Sequence, residues 1–134
     1  MGDKIKELEH GAILLGLDHK ILGQEIANSY ITDVLNKFNP YKATGHLSVG
    51  SPVSKKLSTE EHEFSFSENL PDEPIYIFFE QDNTHKGQVF ILNQAQMLGM
   101  LLKECFGMEY FISNKEQTYL ISVNWYTIEI LGLA

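Results

Sequence analysis

Residues 75–107 read IYIFFEQDNTHKGQVFILNQAQMLGMLLKECFG, and this stretch decides the fold. Ile75 to Glu80 is apolar at both odd and even positions. Successive strand side chains point to opposite faces, so such a run predicts a central strand covered on both sides. Gln81 to Gly87 is polar and Gln88 to Leu92 turns apolar again, which predicts a β-hairpin with a long loop. Asn93 then suits an N-cap, and Gln94 to Phe106 is apolar nearly all round. That predicts one buried helix, ended by Gly107.

Downstream, Met108 to Ser113 and Thr118 to Val123 read as strands joined by a turn at Asn114 to Gln117. Asn124-Trp125 is a bend before a last strand, Tyr126 to Leu131. Upstream, Asn69 to Pro74 is turn-rich, and Glu63-Phe64-Ser65-Phe66-Ser67 alternates polar with apolar, which predicts a half-buried strand. Tyr41 to Thr59, broken by Gly45, Gly50 and Pro52, reads as a loop or a short edge strand. The first third is helical. Ile5, Leu8, Ala12 and Leu15 recur at helical spacing behind Asp3, a candidate N-cap. A second helix is predicted from Asp18 to Phe38, with Leu22, Ile26, Tyr30, Val34 and Phe38 as its apolar stripe and Asn39-Pro40 as its stop. The expectation is one α+β domain over residues 1–134. It has two N-terminal helices, an antiparallel sheet of about five to six strands and one buried helix.

Composition bounds the chemistry. The chain has 134 residues, 43% apolar and 21% charged, which excludes the signature of disorder. A domain of this size buries about two-thirds of its unfolded surface, so it needs neither a disulfide nor a metal to fold. Its one cysteine, Cys105, cannot form an internal disulfide, which points to a reducing compartment. The N-terminus interleaves charged and apolar residues, unlike a signal peptide, and Lys6 argues against myristoylation of Gly2. No apolar run approaches the roughly 18 residues of a membrane span. The protein is expected to be cytoplasmic and to make no membrane contact.

All ten basic residues are lysines, and the net charge is −8. Without arginine's planar fork, and with this sign of charge, nucleic acid is not an expected partner. The acids are unevenly spread. Glu60, Glu61, Glu63, Glu68, Asp72, Glu73, Glu80 and Asp82 fall between Leu57 and His85, where there is no lysine. Phe64, Phe66 and Ile75 to Phe79 interrupt them, so these carboxylates are expected on folded structure. They could be ordinary solubilising charge, or an acidic surface that attracts a basic protein.

No catalytic motif is present. None of His10, His19, His46, His62 and His85 has a histidine three or four residues away, so no zinc site is expected. There is no GxGxxG, P-loop or GxSxG, and no cofactor is expected. Cys105 lies beside Leu101 and Leu102 on an apolar helix face, the setting of a core cysteine rather than a nucleophile. Asn124-Trp125-Tyr126-Thr127 is the most unusual local feature, with the only tryptophan between two strands. Trp125 and Tyr126 could belong to the core or to a recognition surface.

A resemblance rests on Glu104 to Phe111, Ser113-Asn114-Lys115, Tyr119-Leu120-Ile121, Asn124 and Gly132. Over about residues 75–132 the chain resembles a bacterial family of small proteins with no settled activity. Members carry a Glu-Cys-Phe-Gly-aromatic-Glu-aromatic-aromatic stretch, a Tyr-Leu-Leu strand and an Asn-His-His-Asp turn. Here the turn is Asn124-Trp125-Tyr126-Thr127, so only Asn124 carries over. The resemblance implies the fold and no catalytic residue. By analogy, small acidic proteins of this kind look like immunity proteins of bacterial toxin systems.

Two functions are therefore expected to compete. The first is a non-catalytic protein-binding module, an immunity protein or antitoxin. It would cover a toxin, such as a basic nuclease, with the eight carboxylates from Glu60 to Asp82 and with Trp125 and Tyr126. The second is a small-ligand or enzymatic domain with a pocket near Asn124, Trp125 and Tyr126.

Overall fold

The computed structural model describes residues 3–133. Ile75–Phe78 forms β3, the third of seven strands in one sheet, and every neighbouring pair is antiparallel. In chain order the others are β1 (His19–Ile21), β2 (Lys55–Ser58), β4 (Phe90–Leu92), β5 (Tyr110–Ser113), β6 (Leu120–Val123) and β7 (Thr127–Leu131). Their order across the sheet is β1-β4-β3-β5-β6-β7-β2.

Both faces of the sheet are covered, as the reading of Ile75 to Glu80 requires. Ile75, Ile77 and Phe79 pack with Ile5, Leu8 and Ala12 of α1 (Lys4–Leu15), and with Leu98, Leu101 and Leu102 of α4 (Leu98–Lys103). Phe78, Ile91 and Phe111 pack on the other side with Ala27, Tyr30, Ile31 and Val34 of α2 (Gln24–Phe38). Tyr30 also donates its hydroxyl hydrogen to the Asn114 carbonyl at 2.7 Å, which ties α2 to the far end of β5. Asp3 caps α1 by accepting from Ile5 N–H at 3.0 Å, and Gly16 closes it in the left-handed region at φ 70°.

The helices differ from expectation in three places. α2 starts at Gln24, because His19 to Ile21 pairs with β4 as an edge strand. Its core face is then Ala27, Tyr30, Ile31 and Val34, while Ile26 is exposed. A stripe of i+4 steps drifts by about 40° per step, so the expected line from Leu22 is buried only at Tyr30 and Val34. The helix expected over Gln94 to Phe106 is a 3-10 turn, Ala95–Met97, followed by α4 alone. Met97, not Asn93, occupies its N-cap, and Met100 and Phe106 face solvent.

Glu63 to Ser67 is not a strand. It follows the short helix α3 (Thr59–His62) through tight turns into a 3-10 turn, Phe66–Asn69. Local bonds satisfy its backbone, with Glu63 N–H on the Thr59 carbonyl and Ser65 N–H on that of His62. Phe66 is buried while Phe64 is half-exposed, so the two aromatics do not share the face that an alternating strand would give them. The sheet edges are β1, a strand beyond those expected, and β2, which falls in the stretch read as a loop or a short edge strand. Each is short and carries lysine, Lys20 on β1 and Lys55 and Lys56 on β2, which discourages edge-to-edge pairing.

Candidate functional site

The strand register builds one end of the sheet into a continuous surface. Phe78 pairs with Phe111, Tyr110 with Val123, Val123 with Ile128, and Thr127 with Ser58. The residues just past these pairs therefore lie at the same end. They are Glu80 and Asp82 after β3, Glu109 before β5, Asn124 to Tyr126 between β6 and β7, and Glu60 and Glu61 after β2.

Over the α2 face of β5 to β7 lies residues 39–50, a segment closed on itself by paired Lys42 and Ser48 backbones. Glu109, Ser122, Asn124 and Glu129 form a buried polar stripe on the sheet beneath it. Each holds this segment. Leu47 N–H donates to Glu109 Oε1 at 3.3 Å, and Val49 N–H to Ser122 Oγ at 3.0 Å. Asn124 Nδ2 donates to the Leu47 carbonyl at 3.0 Å, and the Ser48 hydroxyl to Glu129 Oε2 at 2.6 Å. Buried polar groups are tolerated when paired in this way, and here they fix a segment that lacks regular structure.

Asn124 also shapes the β6–β7 turn. Its Oδ1 accepts from Tyr126 N–H and Thr127 N–H, each at 2.8 Å, and its carbonyl accepts from the Thr59 hydroxyl at 2.8 Å. With its amide consumed by structure, Asn124 holds Trp125 and Tyr126 outward, where they are 50% and 71% exposed. The two aromatics are surface, not core. The Tyr126 ring meets the His46 ring edge-on, with centroids 5.5 Å apart.

A cleft of about 320 Å³ opens beside Trp125. Lys4, Lys42, His46, Glu80, Asp82 and Glu109 supply its polar walls, and Gly107, Met108 and Trp125 complete it. The walls are tied to one another. His46 Nδ1 donates to Glu109 Oε2 at 2.8 Å, and Trp125 N–H reaches the same oxygen at 3.2 Å. Gly45 N–H donates to Glu80 Oε1 at 2.5 Å. Lys4 N–H donates to Nε2 of the buried His85 at 3.2 Å, so Nδ1 of that ring carries the hydrogen given to Asp82 at 2.9 Å. Burial acts to raise the Asp82 pKa, but bonds from the His85 backbone and ring and from Thr84 N–H outweigh it, and the net shift is downward.

The eight carboxylates from the middle of the chain do not form one patch. Glu60, Glu61, Glu80 and Asp82 lie at the cleft end, with Trp125 and Tyr126 between the two pairs. Four strand spacings, about 19 Å, separate those pairs. Asp72 and Glu73 precede β3 while Glu80 follows it, so Glu73 and Glu80 stand at opposite ends of that strand. Glu73 there accepts from Asn114 Nδ2 at 3.1 Å. Glu68 sits exposed on the 3-10 turn, and Glu63 is half-buried with its pKa raised by that burial. No lysine nitrogen lies within 4.0 Å of a carboxylate oxygen among the described residues.

Glu109, His46, Lys4 and Lys42 are site residues that the sequence reading missed. The available signal was a lone acid inside an apolar strand run, at Glu109 and again at Glu129. Cys105 is half-buried beside Leu101, and burial first, then Glu7 and Glu104, push its thiol up to about 11. No group of three or more histidine, cysteine or carboxylate side chains is placed to hold a metal among the described residues, and none of their helices is long and apolar enough to cross a membrane. The chain matches no protein-family model and no curated protein.

Proposed function

We propose that this protein is a non-catalytic binding module that captures a basic protein partner, in the manner of an immunity protein or antitoxin. The face it uses is the cleft end of the sheet. One observation carries the reading. Trp125 and Tyr126, two adjacent exposed aromatics, stand between two pairs of carboxylates that no lysine among the described residues neutralises by contact. Aromatics with polar tips anchor protein interfaces, and unpaired surface charge steers a partner of opposite sign. The anchors are held in advance by buried Asn124 and Glu109, which lowers the ordering cost of binding. Asp72 and Glu73, at the other end of the sheet, and Glu68, on the 3-10 turn Phe66–Asn69, lie outside this face.

The test is an NMR titration of the full chain with an oligo-lysine peptide. Amide shifts are expected at Glu60, Glu61, Glu80, Asp82, Trp125 and Tyr126, and they are expected to fade as salt rises. Shifts of equal size at Glu68, Asp72 and Glu73 would show diffuse attraction and overturn the assignment. For the physiological partner, a toxin domain encoded next to this chain should be neutralised by the wild type and escape a Trp125→Ala, Tyr126→Ala variant.

A further inference from the structure

We infer that the cleft beside Trp125 is a binding site for a small zwitterion of amino-acid size. The inference shares Trp125, Glu80 and Asp82 with the protein-partner face but rests on a different observation. Its basis is the charge arrangement inside the concavity. Glu109 is engaged by His46 and by two backbone N–H groups, so its charge is spoken for. That leaves two ammonium groups, Lys4 and Lys42, and two carboxylates, Glu80 and Asp82, on the same walls. Within each wall these charges meet partners other than one another. Glu80 accepts from Gly45 N–H, Asp82 from His85 and Thr84, and the Lys4 ammonium lies 5.5 Å from the centre of the Phe79 ring. No ammonium is within 4.0 Å of a carboxylate there. All the bonds to Asp82 go to Oδ1, which leaves Oδ2 available.

A concave site with balanced, separated charges suits a ligand that carries both signs at a distance. A small anion held inside the cleft would face the two acids, and a small cation the two lysines, whereas a long basic segment across the rim also meets Glu60 and Glu61 and is not confined in this way. Trp125 adds an aromatic wall for the ligand's apolar part, and the volume is at the small end of ligand pockets. The hydrogen bonds that tie Lys4 to His85, Gly45 to Glu80, and His46 and Trp125 to Glu109 build the walls in advance. The ligand chemistry expected is an α-amino acid, its carboxylate toward Lys4 and Lys42 and its ammonium toward Glu80 and Asp82.

Trp125 is the only tryptophan, so its emission reports on the site directly. The full chain is titrated with glycine, L-leucine, L-glutamine and L-arginine, and with the N-acetyl and carboxamide forms of each. At least one free amino acid should saturate the Trp125 signal and shift the amides of His46, Gly107 and Glu109. Blocking either charged end should weaken binding by about tenfold or more, and so should Lys42→Met or Glu80→Gln. Blocked forms that bind as well as the parent would overturn the zwitterion assignment. So would the absence of saturation by any of the four up to about 10 mM, where even a millimolar site would fill. Neither result bears on the oligo-lysine titration, which tests the partner reading by itself.

Discussion

Glu109 and His46 are joined at 2.8 Å across 63 residues of chain, and the bond fastens an irregular segment to the central sheet. The Glu109 side chain is about 10% exposed while that of His46 is 55% exposed, so the carboxylate lies inside and the ring forms its lid. The same carboxylate accepts from Leu47 N–H and Trp125 N–H. One side chain thus holds three parts of the cleft wall.

Glu109→Ala is therefore expected to destabilise the fold by about 3 kcal/mol, because it leaves the backbone donors of Leu47 and Trp125 without a partner. Glu109→Gln keeps one oxygen as acceptor and should lose about half as much. His46→Ala, which removes a largely exposed ring, should lose about 1 kcal/mol or less. Urea denaturation of the three variants gives the order directly. A Glu109→Ala midpoint equal to the wild type would show that the segment is held by other contacts.

How far the fold was legible follows from where each signal resides. Ile75 to Phe79 carries apolar residues on both faces, and that local fact is enough to demand a layer on each side of the sheet. Phe64 and Phe66 misled because alternation is the same over five residues whether the chain is extended or turning. Packing against α4 decided it, and a Cβ at Gly99 would run into the Phe64 carbonyl. The site was less legible still. Glu109 and Glu129 become intelligible only against Leu47 and Ser48, which lie in a segment with no periodicity. The charge run from Glu60 to Asp82 is contiguous in sequence but threads from one end of the sheet to the other and back, so its members separate.

Asp82 gives the pH dependence a definite sign. Its folded pKa is lowered despite burial, by bonds from His85 and Thr84. A depressed carboxylate stabilises the folded state when ionised. Its contribution is complete above the ordinary aspartate pKa of about 4, and is lost as pH falls through the lowered value. The side chain is 42% exposed, so solvent screening keeps the effect small. Melting temperatures of wild type and Asp82→Asn should differ at pH 6 and converge toward pH 2. A difference that is constant over this range would rule out the ionised Asp82–His85 contact as its source.

Cys105 should be a slow thiol. Its pKa is pushed up to about 11, first by burial and then by Glu7 and Glu104, so little thiolate exists at neutral pH. Reaction with Ellman's reagent at pH 7.5 is expected to be far slower than for free cysteine, and to become rapid in denaturant. Cys105→Ser should leave peptide and amino-acid binding unchanged. Fast labelling of the folded protein would instead mean that the α1–α4 contact opens readily.

Gly107 provides the most local test of how Trp125 is placed. A Cβ at residue 107 would lie 2.6 Å from Cζ3 of the Trp125 ring, closer than side-chain carbons approach. The ring is half exposed, so it can swing away rather than strain the backbone. Gly107→Ala should therefore cost less than about 1 kcal/mol in stability. Its main effect should be on the site, where a displaced indole shifts its emission to longer wavelength as it meets more water. The cleft wall moves with it, so amino-acid affinity should fall even though no charged residue has changed. Unchanged emission with unchanged affinity would mean that the indole does not rest on Gly107 in solution. A large loss of stability would mean that Trp125 is packed more firmly than its exposure implies.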